Sequence, residues 1–467
     1  MSRQLCWFRN DLRVQDNSAL IQALNAGETV GIYIATPQQW QMHDDAPIKI
    51  DFWRRNLEVL QNELAKLQVP LLFFQVKDYQ EIPALIEKII EQYSIAGVHY
   101  NIEYPLNERR RDAAVEKVCD KHKVKAVAYE DQCLLPPDLV FTKQGQPFKV
   151  FTPYARASRE LLETAGSVSA YGLEPDSLSQ EKPALATLDI ACKLNDIDWP
   201  EEQGNWAKRW PAGEQHANRQ LRHFVEHSIA DYQEDRDKPA LEGTSSLSPY
   251  LCSGIISVRA CWEAAVSAGS NASIRTWCNE LLWRDFYKYV MHHFPHVCMH
   301  QAWNDKYDNV PWRHDEQEFE RWTQGETGFP LIDAAMQQLL QTGWMHNRLR
   351  MLVAMFLSKN LLIDWRWGER WFMQNLIDGD FAANNGGWQW SASTGTDAAP
   401  YFRIFNPVRQ SERFDPEGEF IRQYVPILAN ESAKTIHDPG KLQAEYFEAL
   451  VDLKFSRERA LAAFKKQ

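Results

Sequence analysis

Between Asn384 and Pro407 the chain reads Asn384-Asn385-Gly386-Gly387-Trp388-Gln389-Trp390, then Gly395-Thr396-Asp397-Ala398-Ala399-Pro400-Tyr401-Phe402-Arg403, then Asn406-Pro407. Indoles are large, flat and oxidisable, which suits them to electron transfer and to stacking on nucleobases. The glycines before them would let backbone approach a flat ligand closely. A lone Trp-x-Trp is most often core packing, so the chemical reading depends on its surroundings.

Other segments carry groups of the same kind. Glu242-Gly243-Thr244-Ser245-Ser246-Leu247-Ser248-Pro249-Tyr250-Leu251 sets hydroxyls ahead of a helical pattern. Hydroxyls and free amides at a helix start cradle a phosphate, and equally serve as plain caps. Glu280, Trp283, Arg284 and Tyr287 fall at three- and four-residue spacings and share one helix face. An indole with an acid and a guanidinium beside it can stack on a base and hydrogen-bond it, or form a salt-bridged face.

In Gly343-Trp344-Met345-His346-Asn347-Arg348-Leu349-Arg350-Met351, Asn347 and Met351 lie on one face, flanked by Arg348 and Arg350. An amide reads a flavin or base edge, and Met is an adaptable apolar contact. His346 reads as structural. Asp378-Gly379-Asp380 brings two carboxylates together without further metal ligands in sequence. They read as acceptors for ribose, adenine or flavin N–H groups, or as partners for Arg350. Between Thr342 and Trp371, Arg348, Arg350, Lys359, Arg366 and Arg370 outnumber Asp364 and Glu369. That fits phosphate contact or a solvated helix.

The elements that must position these groups are of two sorts. The first third alternates apolar, β-branched runs at 5–8, 30–35, 71–76, 97–100 and 126–129 with helical stripes at 48–67, 83–93 and 108–122. This predicts an α/β domain, a parallel sheet with helices on both faces. No Gly-x-Gly-x-x-Gly follows the first strand, where Arg9-Asn10-Asp11-Leu12-Arg13 stands instead, so an ordinary dinucleotide fingerprint is missing. From about 134 to 199 runs a long linker with a helical piece at 154–164. From 200 onward the pattern is helical, with stripes at 215–230, 257–268, 274–293, 331–340, 348–362 and 369–376. The expected domains are 1–133, α/β, and 200–467, all-helical.

Composition sets bounds. A chain of 467 residues exceeds what one core usually supports, so two domains are expected. Its net charge of −12 argues against nucleic-acid binding by the whole surface while leaving room for a local site. Eight cysteines without a Cys-x-x-Cys pair argue against structural zinc and a disulfide framework, and for a reducing compartment. No apolar run approaches the roughly 20 residues that span a bilayer, and no signal-peptide pattern opens the chain. Of 18 tryptophans only Trp7, Trp40 and Trp53 precede residue 199, so the two parts are built for different work.

Trp7-Phe8-Arg9-Asn10-Asp11-Leu12-Arg13, the run from Glu242 to Ser245, that from Trp344 to Met351, Asp378-Gly379-Asp380 and that from Asn384 to Trp390 together resemble the photolyase/cryptochrome family. They resemble most closely its bacterial class I cyclobutane pyrimidine dimer photolyases. The resemblance implies a Rossmann-like α/β domain that binds an antenna pigment, joined by the linker to an all-helical domain that binds FAD and DNA. It implies light-driven repair, in which excited FADH⁻ gives one electron to a dimer flipped out of the duplex, the cyclobutane ring splits, and the electron returns.

Residue by residue, the resemblance implies that Thr244, Ser245, Ser246, Leu247 and Ser248 meet the FAD phosphates, with Tyr232, Arg284, Asn347 and Gly379 also at the cofactor. Asp378 would pair with Arg350 beside the flavin, Asp380 would accept from the isoalloxazine or ribose, and Asn384 would face flavin N5. Trp283 and Trp390 would wall the dimer, with Tyr287 beside them. Glu280 and Asn347 would hydrogen-bond its bases, and Met351 would lie below. Arg236, Arg348, Arg403 and Gln410 would hold DNA. Trp388, Trp365 and Trp312 would form an electron-hopping wire to the surface, and no metal is expected.

His43, Asn107 and Glu108 would contact 5,10-methenyltetrahydrofolate as antenna. Folate-type relatives tend to carry Lys where this chain has Met299, so a deazaflavin antenna, a flavin antenna, or none stays open. The partner expected is DNA containing pyrimidine dimers, in the bacterial cytoplasm and on the nucleoid, with a monomer sufficing and neither membrane nor obligate protein partner. The rival is a cryptochrome-like blue-light photoreceptor, for which a longer tail beyond Asn406-Pro407 is expected. A flavin oxidoreductase would need a nicotinamide fingerprint that is missing, and a plain DNA-binding module fits poorly with the acidic charge.

Overall fold

The computed structural model describes residues 2–164, 190–201, 204 and 206–466; positions 165–189 of the expected linker lie outside the described residues. Strands β1 (Arg3–Phe8), β2 (Glu28–Ala35), β3 (Leu71–Gln75), β4 (Ile95–Asn101) and β5 (Lys125–Tyr129) form one sheet in the order β3-β2-β1-β4-β5, every neighbour parallel. Leu5 stands opposite Val30 on one side and Val98 on the other. Both faces of the sheet are covered, so its central strands are apolar throughout rather than alternating.

Successive side chains of β1 serve different cores. Cys6 and Phe8 pack with helices α1 (Ser18–Ala26) and α2 (Pro47–Lys66), whereas Leu5 and Trp7 pack with α3 (Ile82–Tyr93) and α4 (Leu106–Lys121). The chain reverses its direction of build between β1 and β4, the place where open α/β sheets bind ligands. Here the loop after β1 supplies Arg9, paired with Asp112 at 2.8 Å, while Arg111 pairs with Glu103 at 2.7 Å. A guanidinium–carboxylate network replaces the glycine loop that the sequence lacks.

Helix α5 (Phe151–Thr164) lies in the expected linker. The helices of the second part include Glu214–His227, Val258–Ala268, α6 (Ala272–His293), α7 (Glu316–Gln324), α8 (Pro330–Thr342), α9 (Asn347–Met355), α10 (Trp365–Asn375), α11 (Phe381–Ala392), Pro407–Phe414 and Leu453–Lys465. Buried charge ties them to the sheet domain. Arg259 meets Asp16 at 3.0 Å and Asp131 at 2.7 Å, and Arg13 also pairs with Asp131. Glu214 accepts from the backbone N–H groups of Val14 and Gln15, and burial pushes its carboxyl up to about 7.

The structure corrects one local reading of the sequence and sharpens two others. The helix expected over 348–362 keeps α geometry only to Met355; a wider turn over Phe356–Leu361 follows and stops at Leu362, whose φ is 55°. In that turn Lys359 is fully buried, its Nζ 2.7 Å from Ser393 Oγ and 3.7 Å from the Phe464 ring. Lys359 therefore drops out of the basic stretch, whose Arg370 stays exposed. Finally, Gly386 and Gly387 lie inside α11. A Cβ at Gly386 would sit 2.1 Å from the Tyr287 ring, so this glycine serves close packing of α11 on α6. Gly387 has open space before it.

Candidate functional site

Helix α6 turns Glu280, Trp283, Arg284 and Tyr287 toward a cavity of about 500 Å³, as their spacing predicts. Asn347, Arg348, Arg350 and Met351 of α9 and Asn384, Gly387, Trp388 and Trp390 of α11 border the same cavity. Tyr232, Arg236, Thr244, Ser245, Ser248, Asp378 and Asp380 complete its polar margin. Asp380 caps α11, accepting from the Ala383 N–H at 2.9 Å, and pairs with Lys288 at 2.7 Å. Burial alone would raise this carboxyl, but Lys288 and Arg284 hold it well below the usual range. Lys288 was missed in the sequence although it lies one turn beyond Arg284 on the same face.

The cations around the cavity are all engaged. Arg350 donates to both Asp378 oxygens, at 3.0 and 2.8 Å; Arg236 meets Glu280 at 2.6 Å; Arg348 meets Asp237 at 2.7 Å. His346 caps α9 through Nδ1, which accepts from the Arg348 N–H, and burial pulls its pKa down to about 4. It is a neutral structural imidazole.

Two aromatic arrangements stand out. Phe151, the first residue of α5, stacks on Trp283 with ring centroids 3.6 Å apart and planes 9° from parallel. One face of that indole is thus covered by protein while the residue still borders the cavity. Trp388, Trp365 and Trp312 belong to one apolar core, with Trp388 and Trp365 buried and Trp312 half-buried. Their Nε1–H groups find no acceptor among the described residues. Trp388 seats its ring against Gly368, where a Cβ would lie 2.1 Å away. Asn384 donates to the Glu369 carbonyl at 2.9 Å and Asn385 to the Glu369 carboxylate at 2.7 Å; burial pushes that carboxyl up to about 7.

Some expected residues do not border this cavity. Ser246 and Leu247 turn away from it, Leu247 being buried; Gly379 faces a second cavity; Arg403 is exposed and Gln410 half-buried on the helix Pro407–Phe414. Trp365 and Trp312 are not among the residues that border it. Trp277, Leu281, Phe372 and Cys252 border it without any sequence signal beyond ordinary apolar character.

The second cavity, about 490 Å³, is the cleft between the strand ends and α10. His43, Asn107 and Glu108 meet there: His43 lies 3.6 Å from Glu108, and Asn107 Nδ2 lies 3.1 Å from His43 Nε2. Burial raises the Glu108 carboxyl, and its Oε2 has no partner among the described residues. Met299 is 49% exposed and outside the lining, to which its neighbours Cys298 and His300 contribute. Cys252 and Asp380 border both cavities.

Residues 277–466 match a family model described as the FAD binding domain of DNA photolyase, and residues 4–170 one described as DNA photolyase. The chain is 44% identical to a deoxyribodipyrimidine photo-lyase of Vibrio cholerae, over 99% of each chain. It is 40% identical to one of Escherichia coli, over 99% of this chain and 98% of that one. Among solved structures, a class III photolyase of Agrobacterium tumefaciens superposes with a TM-score of 0.88 at 34% identity, covering 100% of this chain and 98% of the other. A cryptochrome of Synechocystis superposes with a TM-score of 0.87 at 29% identity, covering 99% of both.

Proposed function

The chain belongs to the DNA photolyase family, and from that premise we propose that it repairs cyclobutane pyrimidine dimers in DNA under light. The observation that carries this reading is the single cavity bordered both by the cofactor set (Tyr232, Thr244, Ser245, Ser248, Arg350–Asp378, Asn384) and by the lesion set (Glu280, Trp283, Asn347, Met351, Trp390). A donor and an acceptor of one electron could lie there side by side, shielded from water.

The cavity fits FAD. Its hydroxyls suit phosphates, its apolar walls suit a flat ring, and Gly387 leaves room where any side chain would intrude. When bound in its reduced form, FADH⁻, the cofactor supplies one electron to the dimer under light and recovers it after the ring splits. The protein's own part is to bind, orient and exclude water. Trp283, held flat by Phe151, and Trp390 stack on the flipped pyrimidines. Asn347 and Glu280 hydrogen-bond their edges, the latter steadied by Arg236, and Met351 closes the floor. The Asp378–Arg350 pair and the Asn384 amide, itself fixed by the Glu369 carbonyl, set the polar environment of the ring. Arg403 and Gln410, outside the cavity, serve the DNA backbone with Arg348. Trp388, Trp365 and Trp312 carry electrons inward when the cofactor has become oxidised.

The cleft at His43, Asn107 and Glu108 fits a folate antenna, 5,10-methenyltetrahydrofolate, because the orphaned Glu108 oxygen offers an acceptor to an N–H-rich head group. No helix of the described residues is long and apolar enough to cross a membrane, and the partner proposed is lesion-bearing DNA in the cytoplasm. The test mixes the reduced, FAD-loaded protein with an oligonucleotide carrying one thymine dimer. Restoration of intact thymines in near-UV or blue light and not in the dark is expected. Persistence of the dimer, with FAD bound and photoreducible, would replace repair by a photoreceptor role.

A further inference from the structure

Trp388 contacts two aromatic rings: Phe372, which also borders the cavity, with centroids 5.0 Å apart, and Trp322, outside the lining, at 6.1 Å and 71°. Trp322, on α7, is fully enclosed and stands 5.4 Å from Trp371 at 64°. Trp371, on α10, is half-buried and so reaches solvent. Each indole–indole step lies within the range of ordinary ring contact, about 4.5–7 Å. Phe372 lies against both later members, 6.2 Å from Trp322 and 6.1 Å from Trp371, and closes the gap with π density.

We propose that the wire branches at Trp388, with a second arm running through Trp322 to a solvent end at Trp371. This rests on the reading of Trp388 as the indole next to the cofactor. Trp388 gives one electron to the bound, light-excited cofactor and is left as a radical cation. Trp322 refills Trp388 and Trp371 refills Trp322, one electron at each step, so the vacancy ends at Trp371. There an external thiol returns the electron and is itself oxidised by one electron. Trp322 is well placed as the middle step, because its Nε1–H donates to the Val353 carbonyl at 3.2 Å. Such a bond strengthens when its donor becomes positively charged. Trp388, Trp365 and Trp312 have no such acceptor among the described residues.

The test follows indole radicals by transient absorption and electron paramagnetic resonance after a flash on the full chain loaded with oxidised FAD. In W365F, which cuts the first arm, a reduced but long-lived radical yield is expected. In W365F/W371F it should vanish, and because Trp371 is half-buried its replacement should leave the fold intact, as circular dichroism would check. Complete loss in W365F alone, or an unchanged yield in W365F/W371F compared with W365F, would overturn the second arm. A radical yield that survives in W388F would overturn the assignment of Trp388 and both arms with it.

Discussion

Glu369 is a buried carboxylic acid placed behind the two asparagines of α11, and its ionisation is linked to stability. Its carboxyl is pushed by burial from an ordinary 4.5 up to about 7, with Asn385 as its hydrogen-bond donor. The folded chain therefore keeps this proton up to about pH 7, whereas the unfolded chain releases it near 4.5. Between those values the folded state binds more protons, so the stability it contributes is full below 4.5 and is lost as pH rises. The gap, at about 1.4 kcal/mol for each pH unit, amounts to about 3 kcal/mol. E369Q keeps an acceptor for Asn385 and cannot ionise, so it should escape that loss. The assay is urea unfolding of wild type and E369Q from pH 4 to 8.5, and the quantity of interest is their difference. Glu214, Asp285 and Asp333, also raised by burial, are common to both proteins and cancel. E369Q should gain on wild type steadily from pH 5 to 7 and then hold a constant margin. A difference that stays flat across that window would refute the assignment of a neutral buried acid at this position.

Gly386 and Gly387 should behave oppositely. G386A drives a methyl into the Tyr287 ring and should cost about 1–3 kcal/mol in unfolding measurements. G387A should leave the apo protein as stable or slightly more so and weaken FAD binding by titration, because its methyl enters the cavity. W283A should weaken dark binding of dimer-containing DNA by about 1–3 kcal/mol, with little change for intact DNA in the same equilibrium assay. W388F should abolish photoreduction of oxidised cofactor while sparing repair by protein reduced beforehand, which flash spectra and a repair assay would separate.

Strands β1 to β4 were legible because they are largely buried and read as apolar runs, with helical stripes at 48–67, 83–93 and 108–122 between the later ones. Helix α1 after β1 was not read, and β5 is only half-buried. The face shared by Glu280, Trp283, Arg284 and Tyr287 was legible for an equally local reason, the repeat of the α-helix. Helix α11 was not: Asn384-Asn385-Gly386-Gly387 opposes helix by propensity, and the helix forms because Gly386 lets it press against Tyr287 and Asp380 caps it. Nor could local pattern reveal Phe151 on Trp283 or Lys288 on Asp380, since each pair is made by packing of elements far apart in the chain. The basic stretch before Trp371, which fitted phosphate contact or a solvated helix, stayed ambiguous for the converse reason. Charge counted along a helix does not say that Lys359 is buried, or that Arg348, Arg350 and Arg366 each already hold a carboxylate.

The central claim is that an electron passes from the reduced cofactor to a dimer seated against Trp283 and Trp390 in the same cavity. The emission lifetime of the reduced, FAD-loaded protein tests it most directly, measured alone, with dimer-containing DNA and with the same DNA after repair. A lifetime shortened by the dimer and restored in the repaired duplex is expected, with the shortening lost in a W283A/W390A double variant. An unchanged lifetime while dimer DNA is shown to be bound would contradict the account.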